Sequence, residues 1–580
     1  MPSRVKSVKQ FVGDAKLRAI QWGGNDHLLL GSSQTSMAMG VIGPRQEWST
    51  TTNYTISDGS ARTLMEGVEN AMNVTQGVAV RQVDGKPVAY VTGLYNGDNN
   101  EELDNALFRI DLDTGHTTLV EHGSPLAQGW LVDAGGNVLV EADYNAQKNL
   151  WTLKRKTDDD WQAIATIAAP IDVPELSGMS EDGSAVLVRT FNNKGSALRA
   201  YSATTGAPVA VPSGTEFLGG FVEDPVTHRA IATLDDATRL DYAFFSPANK
   251  ALWQRIRNVF SDSNQVELAS WSDDKTKIVL HVFGPNEGDQ YTLLDLTANT
   301  ATPIGPVRAD VGQYETAPIQ AIAYSAADGL QIPAYLTLPR GVPAKALPLV
   351  VFPHGGPADR DEYGFDWWAQ AMASRGYAVL QPEFRGSDGY GWDFLSAGFG
   401  EWGRKMQTDL SDGVRALAAQ GTIDPKRVCI VGASYGGYAA LAGATLDTGV
   451  YRCAASIAGI SGLHDFLRWR ESRDNSDDDT TTRYWLRFLG AASDDDPVLD
   501  QLSPTKHVDM VTIPILLIHG KDDTVVPIDQ SEDMADALKD AKKDVTLVEL
   551  EDEDHWLSRA RTREQMLETL MDFLGKNNPP

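Results

Sequence analysis

Residues 432–436 read Gly432-Ala433-Ser434-Tyr435-Gly436; they close the apolar run "RVCIVG" and open the small-residue run "GYAALAGA". Glycine two positions before and two after a serine suits a very sharp strand-to-helix turn that holds one side chain out at its apex. A serine hydroxyl is a weak nucleophile at neutral pH, so it needs a general base in hydrogen-bond reach and a carboxylate to fix that base's tautomer. Where such a turn sits in a parallel sheet, the partners follow in the order Ser, Asp or Glu, His, each on a loop past the C-terminal end of a strand. The run "IPILLIHG" leads into "KDDTVVP", which places Asp522 and Asp523 past a strand end; Asp523 heads the D-x-x-V-P segment that returns the chain to the next helix. The run "VTLVEL" leads into "EDEDHWL" and places His555 on the following loop. Of the ten histidines only His555 lies beyond Asp523, so the order alone selects the base.

Acyl transfer also needs donors aimed at the developing oxyanion. The N–H of Tyr435 comes with the turn, and "LVVFPHGGP" supplies His354-Gly355-Gly356-Pro357 on the loop after an early strand. His354 reads as a residue that orders this loop rather than as a second base. Taken singly, these motifs are a glycine-rich turn, a tight loop and a strand end. Taken together, each after its own strand and in the required order, they point to serine-nucleophile chemistry.

Two kinds of element must position these residues. A chain of 580 residues exceeds one hydrophobic core and implies two or three large domains. After about residue 315, near-continuous apolar runs (347–352, 377–382, 427–432, 453–459, 513–520 and 545–550) alternate with amphipathic helical ones such as "KMQTDLSDGVRALAAQG", "SEDMADALKDAKK" and "TREQMLETLMDFLGK". That alternation predicts a mainly parallel, doubly wound sheet covered on both faces, an α/β domain over 315–580. Residues 1–314 repeat a different unit, a turn rich in Asp or Gly followed by a short alternating strand, beginning near residues 21, 83, 132, 179, 222 and 271. Hairpin-like pieces such as "FRIDLDTGHTTLV" lie between, and helical periodicity is almost absent. The spacing predicts an all-β propeller of six or seven blades, with a pair of β-sandwiches as the alternative.

Composition narrows the function classes. The 42% hydrophobic and 22% charged residues are those of an ordinary globular protein. A formal charge of −29 argues against nucleic acid or an anionic membrane as partner. Cys429 and Cys453, the only two cysteines, read as buried free thiols. No run reaches membrane-spanning length and "MPSRVKSVKQFVGDAKL" lacks a secretory apolar core, so the chain reads as cytoplasmic as written, or periplasmic or secreted had a signal been removed. Neither metal nor cofactor is expected; the partner is a peptide substrate, and a homo-oligomer is compatible with the sequence.

The segments "DGLQIPAYLTLP", "VVFPHGGP", "EFRGSDGYGWDF", "VGASYGGYAAL", "IHGKDDTVVP" and "EDHWLSR" together resemble the prolyl oligopeptidase family of serine peptidases, in particular its acylaminoacyl-peptidase and dipeptidyl-peptidase-like branches. The likeness spans nearly all of 315–580. It implies Ser434 as nucleophile, His555 as base, Asp523 as orienting acid, and the Tyr435 and Gly356 N–H groups as the oxyanion site. It also implies a propeller, usually of seven blades, that restricts access to short or flexible peptides. One departure is the acidic run Glu551-Asp552-Glu553-Asp554, where many relatives have glycine close before the histidine; it either stabilises the His555 imidazolium or is screened by solvent.

Dipeptidyl peptidases of the family hold the substrate amino terminus with paired glutamates, which Glu101-Glu102 in "DNNEELDNALF" would supply unless they form a solvated acidic loop. The segment 464–490, with Arg468, Trp469, Arg470, Tyr484 and Trp485, either lines a pocket or is a helical excursion paired with its own acidic residues. The leading expectation is a propeller-gated serine peptidase. The same triad would serve an esterase or a dedicated isopeptidase, because the pocket chooses the leaving group. A non-catalytic propeller module would leave Ser434 unlabelled by an active-site reagent.

Overall fold

The computed structural model describes residues 16–37, 45–97, 103–158, 160–192, 195–211, 220–235, 240–262, 264–284, 288–308, 316–474 and 480–580. Among them, six antiparallel sheets follow one another over 16–63, 77–122, 127–168, 175–209, 221–244 and 265–306. Five have four strands and 221–244 has three, each in simple up-and-down order. These are the blades of a six-bladed propeller.

Each of the six repeated turns joins the first strand of a blade to its second. The local chemistry repeats too. In the 175–209 blade Asp182 accepts from the Ser180 hydroxyl (2.7 Å) and the Ser184 N–H (2.9 Å). In the 265–306 blade Asp274 accepts from the Ser272 hydroxyl (2.6 Å) and the Thr276 N–H (3.0 Å). A short acidic side chain that bonds its own backbone two residues on closes such a turn without help from elsewhere.

The expectation of almost no helix in this half needs one correction. Helix Pro247–Arg257 follows the three-stranded blade. Ser246 caps it by accepting the Asn249 N–H, and Trp253 and Ile256 are buried; Trp253 meets Tyr242 edge-on at 4.7 Å. The serine-proline start was a legible helix signal.

The second architecture is an eight-stranded sheet. We number its strands β1 (Ile319–Ser325), β2 (Gln331–Thr337), β3 (Leu347–Val351), β4 (Ala378–Pro382), β5 (Ile423–Ala433), β6 (Cys453–Ile457), β7 (Ile515–Gly520) and β8 (Val545–Leu550). Their spatial order is β1-β2-β4-β3-β5-β6-β7-β8. The β1–β2 and β2–β4 pairs are antiparallel and every other pair is parallel. Alternate residues of β5 face opposite sides: Val428 and Ile430 join a core with helices Lys405–Ala419 and Tyr435–Thr445, while Cys429 and Val431 join one with helices Trp367–Ser374 and Ala560–Asn577. All six apolar runs foreseen as strands are strands. Their fully buried, two-sided character is why they read as continuous rather than alternating.

Cys429 and Cys453 are not free thiols. They are direct partners in the β5–β6 pairing, with Cα atoms 4.8 Å apart, and form a disulfide buried in the sheet. Two cysteines in successive runs become neighbours once those runs pair in register, which spacing along the chain does not reveal.

By its internal contacts the chain forms two units: Met1–Thr190 with Arg199–Ala210 and Val226–Arg229, and Phe191–Leu198 with Val211–Pro225 and Ala230–Pro580. The 265–306 blade and the eight-stranded sheet thus share a unit. The domain boundary expected at 314/315 falls within 309–315, outside the described residues. No described helix is long and apolar enough to cross a membrane.

Candidate active site

Ser434 stands between the end of β5 and helix Tyr435–Thr445 with φ 56° and ψ −120°. A non-glycine residue held there costs about 1–3 kcal/mol, which the surrounding packing must offset. The flanking glycines permit the turn. A Cβ on Gly432 would overlap the Gly436 carbonyl, and one on Gly436 would overlap the Pro353 carbonyl oxygen. The Ser434 N–H bonds the Ile457 carbonyl at the end of β6 (3.0 Å), and the Tyr435 ring is buried against Phe384 and Trp402 at centroid distances of 5.0 and 4.7 Å. The serine side chain is thereby left at the apex.

The carboxyl ends of the parallel strands are tied in sequence. Ala458 N–H bonds Ile518 O (2.8 Å), and Asp522 N–H bonds Glu553 O (2.9 Å). This run of bonds places the loops after β5, β6, β7 and β8 along one edge of the sheet, the edge where α/β folds build their sites. Two site residues meet there directly. His555 Nδ1 donates to Asp523 Oδ2 at 2.6 Å, which leaves Nε2 as the ring nitrogen that the acid does not engage. The other Asp523 oxygen accepts the N–H groups of Val525 (2.8 Å) and Val526 (2.9 Å).

His519, at the end of β7, is a second partner that the sequence reading passed over. Its Nε2 lies 3.0 Å from Val526 O and 3.3 Å from Asp523 Oδ2, while Nδ1 pairs with the Ser531 hydroxyl at 2.8 Å. The signal was present: a histidine four residues before the acid, at the end of an apolar strand. Burial alone would raise the Asp523 carboxyl. The charge of His555 and the hydrogen bonds from His519 and His555 outweigh burial and hold it well below the usual carboxylate range.

The acidic run before His555 resolves by orientation. Glu553 and Asp554 are buried. Glu553 accepts the N–H groups of Asp554 (3.0 Å) and Ser558 (2.8 Å) and the Thr562 hydroxyl, and Asp554 accepts the Trp556 N–H (3.0 Å) and the Ser558 hydroxyl (2.8 Å). Both serve the backbone of the His555 loop.

Across from the elbow, a methyl placed on Gly355 would meet Ser434 Cβ at 3.6 Å, so the HGGP backbone lies against the serine. Among the described residues neither the Tyr435 N–H nor the Gly356 N–H donates to a protein acceptor. His354 orders the loop: Nδ1 lies 2.7 Å from Gly355 O and Nε2 lies 2.8 Å from the Ser387 hydroxyl, with its ring stacked on Phe384. Burial pushes the His354 imidazole down to about 4, so it is neutral at pH 7.

The substrate-binding candidates fare unequally. The Tyr484 hydroxyl accepts the Ala358 N–H at 3.2 Å, beside the HGGP loop. Trp485 packs edge-on to Trp402 (5.7 Å) and Phe466 (5.2 Å), in the core. Trp469 lies beside Phe466, with Arg473 at 4.9 Å and Arg470 at 6.0 Å from its ring. Arg468 turns outward to Asp494 (3.3 Å) and Asp495 (2.5 Å); these partners lie beyond the 464–490 segment rather than within it. Glu101 and Glu102 lie outside the described residues.

Comparison with known proteins agrees with this architecture. Residues 363–578 match the prolyl oligopeptidase family. The chain is 29% identical over 491 residues to dipeptidyl aminopeptidase BIII of Pseudoxanthomonas mexicana, covering 81% of this chain and 69% of that one. It is 33% identical over 253 residues to dipeptidyl peptidase family member 6 of Caenorhabditis elegans, covering 41% of this chain and 33% of that one, so it spans about a third of that relative's length. The solved puromycin-hydrolyzing peptidase of Mycobacterium tuberculosis superposes with a TM-score of 0.70 at 20% identity, covering 97% of this chain and 95% of that one. Segment 363–578 thus carries a prolyl oligopeptidase family domain, and propeller, hydrolase sheet and peptidase relatives together support a serine hydrolase.

Proposed function

We propose that the protein hydrolyses short or flexible peptides through an acyl-enzyme formed on Ser434. The observation that carries this reading is the 2.6 Å bond from His555 Nδ1 to Asp523, on the same sheet edge as the strained serine. Asp523 fixes the tautomer in which Nε2 takes the Ser434 proton as Oγ attacks the scissile carbonyl. The oxyanion is received by the Tyr435 and Gly356 N–H groups, which donate to no acceptor among the described residues. Collapse breaks the C–N bond as His555 returns the proton to the leaving amine; water, deprotonated by the same imidazole, then releases the acid and restores Ser434.

Functionally the chain divides into a propeller over 1–314, which restricts access, and a catalytic domain over 315–580. Similarity to a dipeptidyl aminopeptidase over most of the chain makes short amino-terminal peptides the first substrates to try.

Fluorophosphonate labelling of the full chain and of Ser434→Ala, with mass-spectrometric mapping and a peptide-library digest of both, tests the reading. Labelling confined to Ser434, with cleavage lost in the variant, is expected. Labelling with ester turnover and no peptide cleavage would overturn the peptide assignment. No labelling of folded protein would overturn the mechanism.

A further inference from the structure

Glu383 is a buried acid that the proposed mechanism does not use. It follows β4 directly, and its side chain is 0% exposed. One oxygen, Oε1, accepts the Asp361 N–H at 2.9 Å. The other, Oε2, has no hydrogen-bond partner among the described residues and lies 3.7 Å from His354 Nε2. A buried carboxyl with an unsatisfied oxygen is costly, so its presence calls for a purpose other than stability.

Its neighbours indicate the purpose. His354 opens, and Asp361 closes, the short segment that contains Gly355 and Gly356. Glu383 therefore touches both ends of the loop that lies against Ser434. Between those ends the segment is tightly wound: Gly356 has φ +112°, and a Cβ there would come within 2.9 Å of both Ala358 N and Asp359 Cβ. Two further bonds brace its far side, Asp388 N–H to Asp359 O (2.9 Å) and Ala358 N–H to the Tyr484 hydroxyl (3.2 Å). Beyond Asp361 the chain runs on to Tyr363, which meets Phe283 of the 265–306 blade at 6.4 Å, and to Phe365, which lies under the Arg308 guanidinium at 4.2 Å. Phe283 and Arg308 thus meet this strap beyond Asp361, and Glu383 lies against it at His354 and Asp361.

Resting on the reading of Gly356 as an oxyanion donor, we propose that Glu383 is a positioning residue: by accepting the Asp361 N–H and packing beside His354 it holds the Gly356 N–H where the tetrahedral intermediate needs it. Burial, with the charge of Asp361 second, pushes the Glu383 carboxyl well above its ordinary range. That shift favours the protonated form, of which glutamine is the nearest mimic.

The test measures kcat and KM on a peptide or p-nitrophenyl ester that the wild type turns over, together with Tm and the fluorophosphonate labelling rate, for Glu383→Gln, Glu383→Leu and Glu383→Asp in the full chain. Losing one oxyanion donor outright costs about 10²–10³ in kcat, so misplacing one should cost about 10- to 100-fold. Glu383→Leu should lose that much in kcat with KM within about twofold and an equal or higher Tm, and Glu383→Gln should restore most of the rate. Should the leucine variant not fold, Glu383→Asp decides, because one methylene less draws the carboxyl away from the Asp361 N–H and kcat must fall. Wild-type kcat in Glu383→Leu or Glu383→Asp, or a loss of rate that only follows a fall in Tm, overturns the proposal. A wild type that neither labels nor turns over overturns the parent reading instead.

Discussion

Asp523 and Glu383 are both acids whose side chains are 0% exposed, one on each side of the Ser434 elbow, yet their environments pull them in opposite directions. Asp523 is surrounded by donors: two backbone N–H groups, His555 and His519. Among the described residues Glu383 has one N–H donor, an oxygen with none, and the acid Asp361 for a neighbour. Desolvation raises both, and only at Asp523 is it outweighed, by the His555 charge and the hydrogen bonds that face the carboxyl. Burial therefore does not by itself set the direction in which a buried acid shifts; the charge and donors that face it do. On one side of the elbow the surroundings favour an anion beside His555, and on the other they favour a protonated group beside a backbone loop.

Removing the anion breaks the comparison most severely. Asp523→Asn should let the His555 imidazole adopt the wrong tautomer and lower kcat by about 10⁴-fold with little change in KM, as read by steady-state kinetics on folded protein. His519→Phe takes away one donor while His555 stays bound. A hydrogen bond to a charged group contributes about 1.5–3 kcal/mol, so this variant should unfold at clearly lower denaturant than the wild type. Unchanged stability would mean that the 3.3 Å approach of His519 to Asp523 does not help to hold the carboxylate.

The two acids should also imprint opposite slopes on stability against pH. Asp523 has a depressed folded pKa, so its contribution is complete above the unfolded value near pH 4 and is lost as pH falls toward the folded one. Glu383 has a raised folded pKa. Its contribution is complete below the unfolded value of about 4.3 and is lost at up to about 1.4 kcal/mol per pH unit as pH rises toward the folded one. As pH rises above about 4, Glu383→Gln should therefore gain stability on the wild type progressively, whereas Asp523→Asn should fall behind the wild type as pH rises toward 4. Parallel curves for the two variants would erase the distinction between the acids.

Much of this site was legible because its parts are local. The elbow, the loop after β3 and the two strand ends each declare themselves within a few residues, and chain order selects the partners. The propeller turns were legible for the same reason, since an Asp-x-Ser or Asp-x-Thr step bonds its own backbone. What stayed hidden depends on pairing in three dimensions. The Cys429–Cys453 bond exists because β5 and β6 align. The roles of Glu553 and Asp554 depend on which way two side chains turn, and a run of four acids looks the same either way. Glu383 draws its meaning from residues far from it in sequence, His354 and Asp361. Helix Pro247–Arg257 was missed for a different reason: a strand repeat on either side masked a serine-proline start that is itself local.

The mildest variant tests whether an exposed charge can matter as a buried one does. Arg468 is a pocket candidate by composition, in a segment rich in aromatic and basic residues. In the fold it extends outward, its side chain 53% exposed, and bonds Asp494 and Asp495. An exposed pair of this kind gives up side-chain freedom and competes with water and salt, so little of its attraction survives as stability. Arg468→Ala should leave kcat/KM within about twofold of wild type and Tm nearly unchanged, with no dependence on the charge at either end of a peptide substrate. A tenfold loss confined to substrates with a free carboxylate would reverse this: it would mean that the arginine leaves its aspartates to meet the peptide, and that its partners mask a binding group. The expected null keeps substrate contact with the groups beside the HGGP loop, where Tyr484 already touches the segment that Glu383 holds.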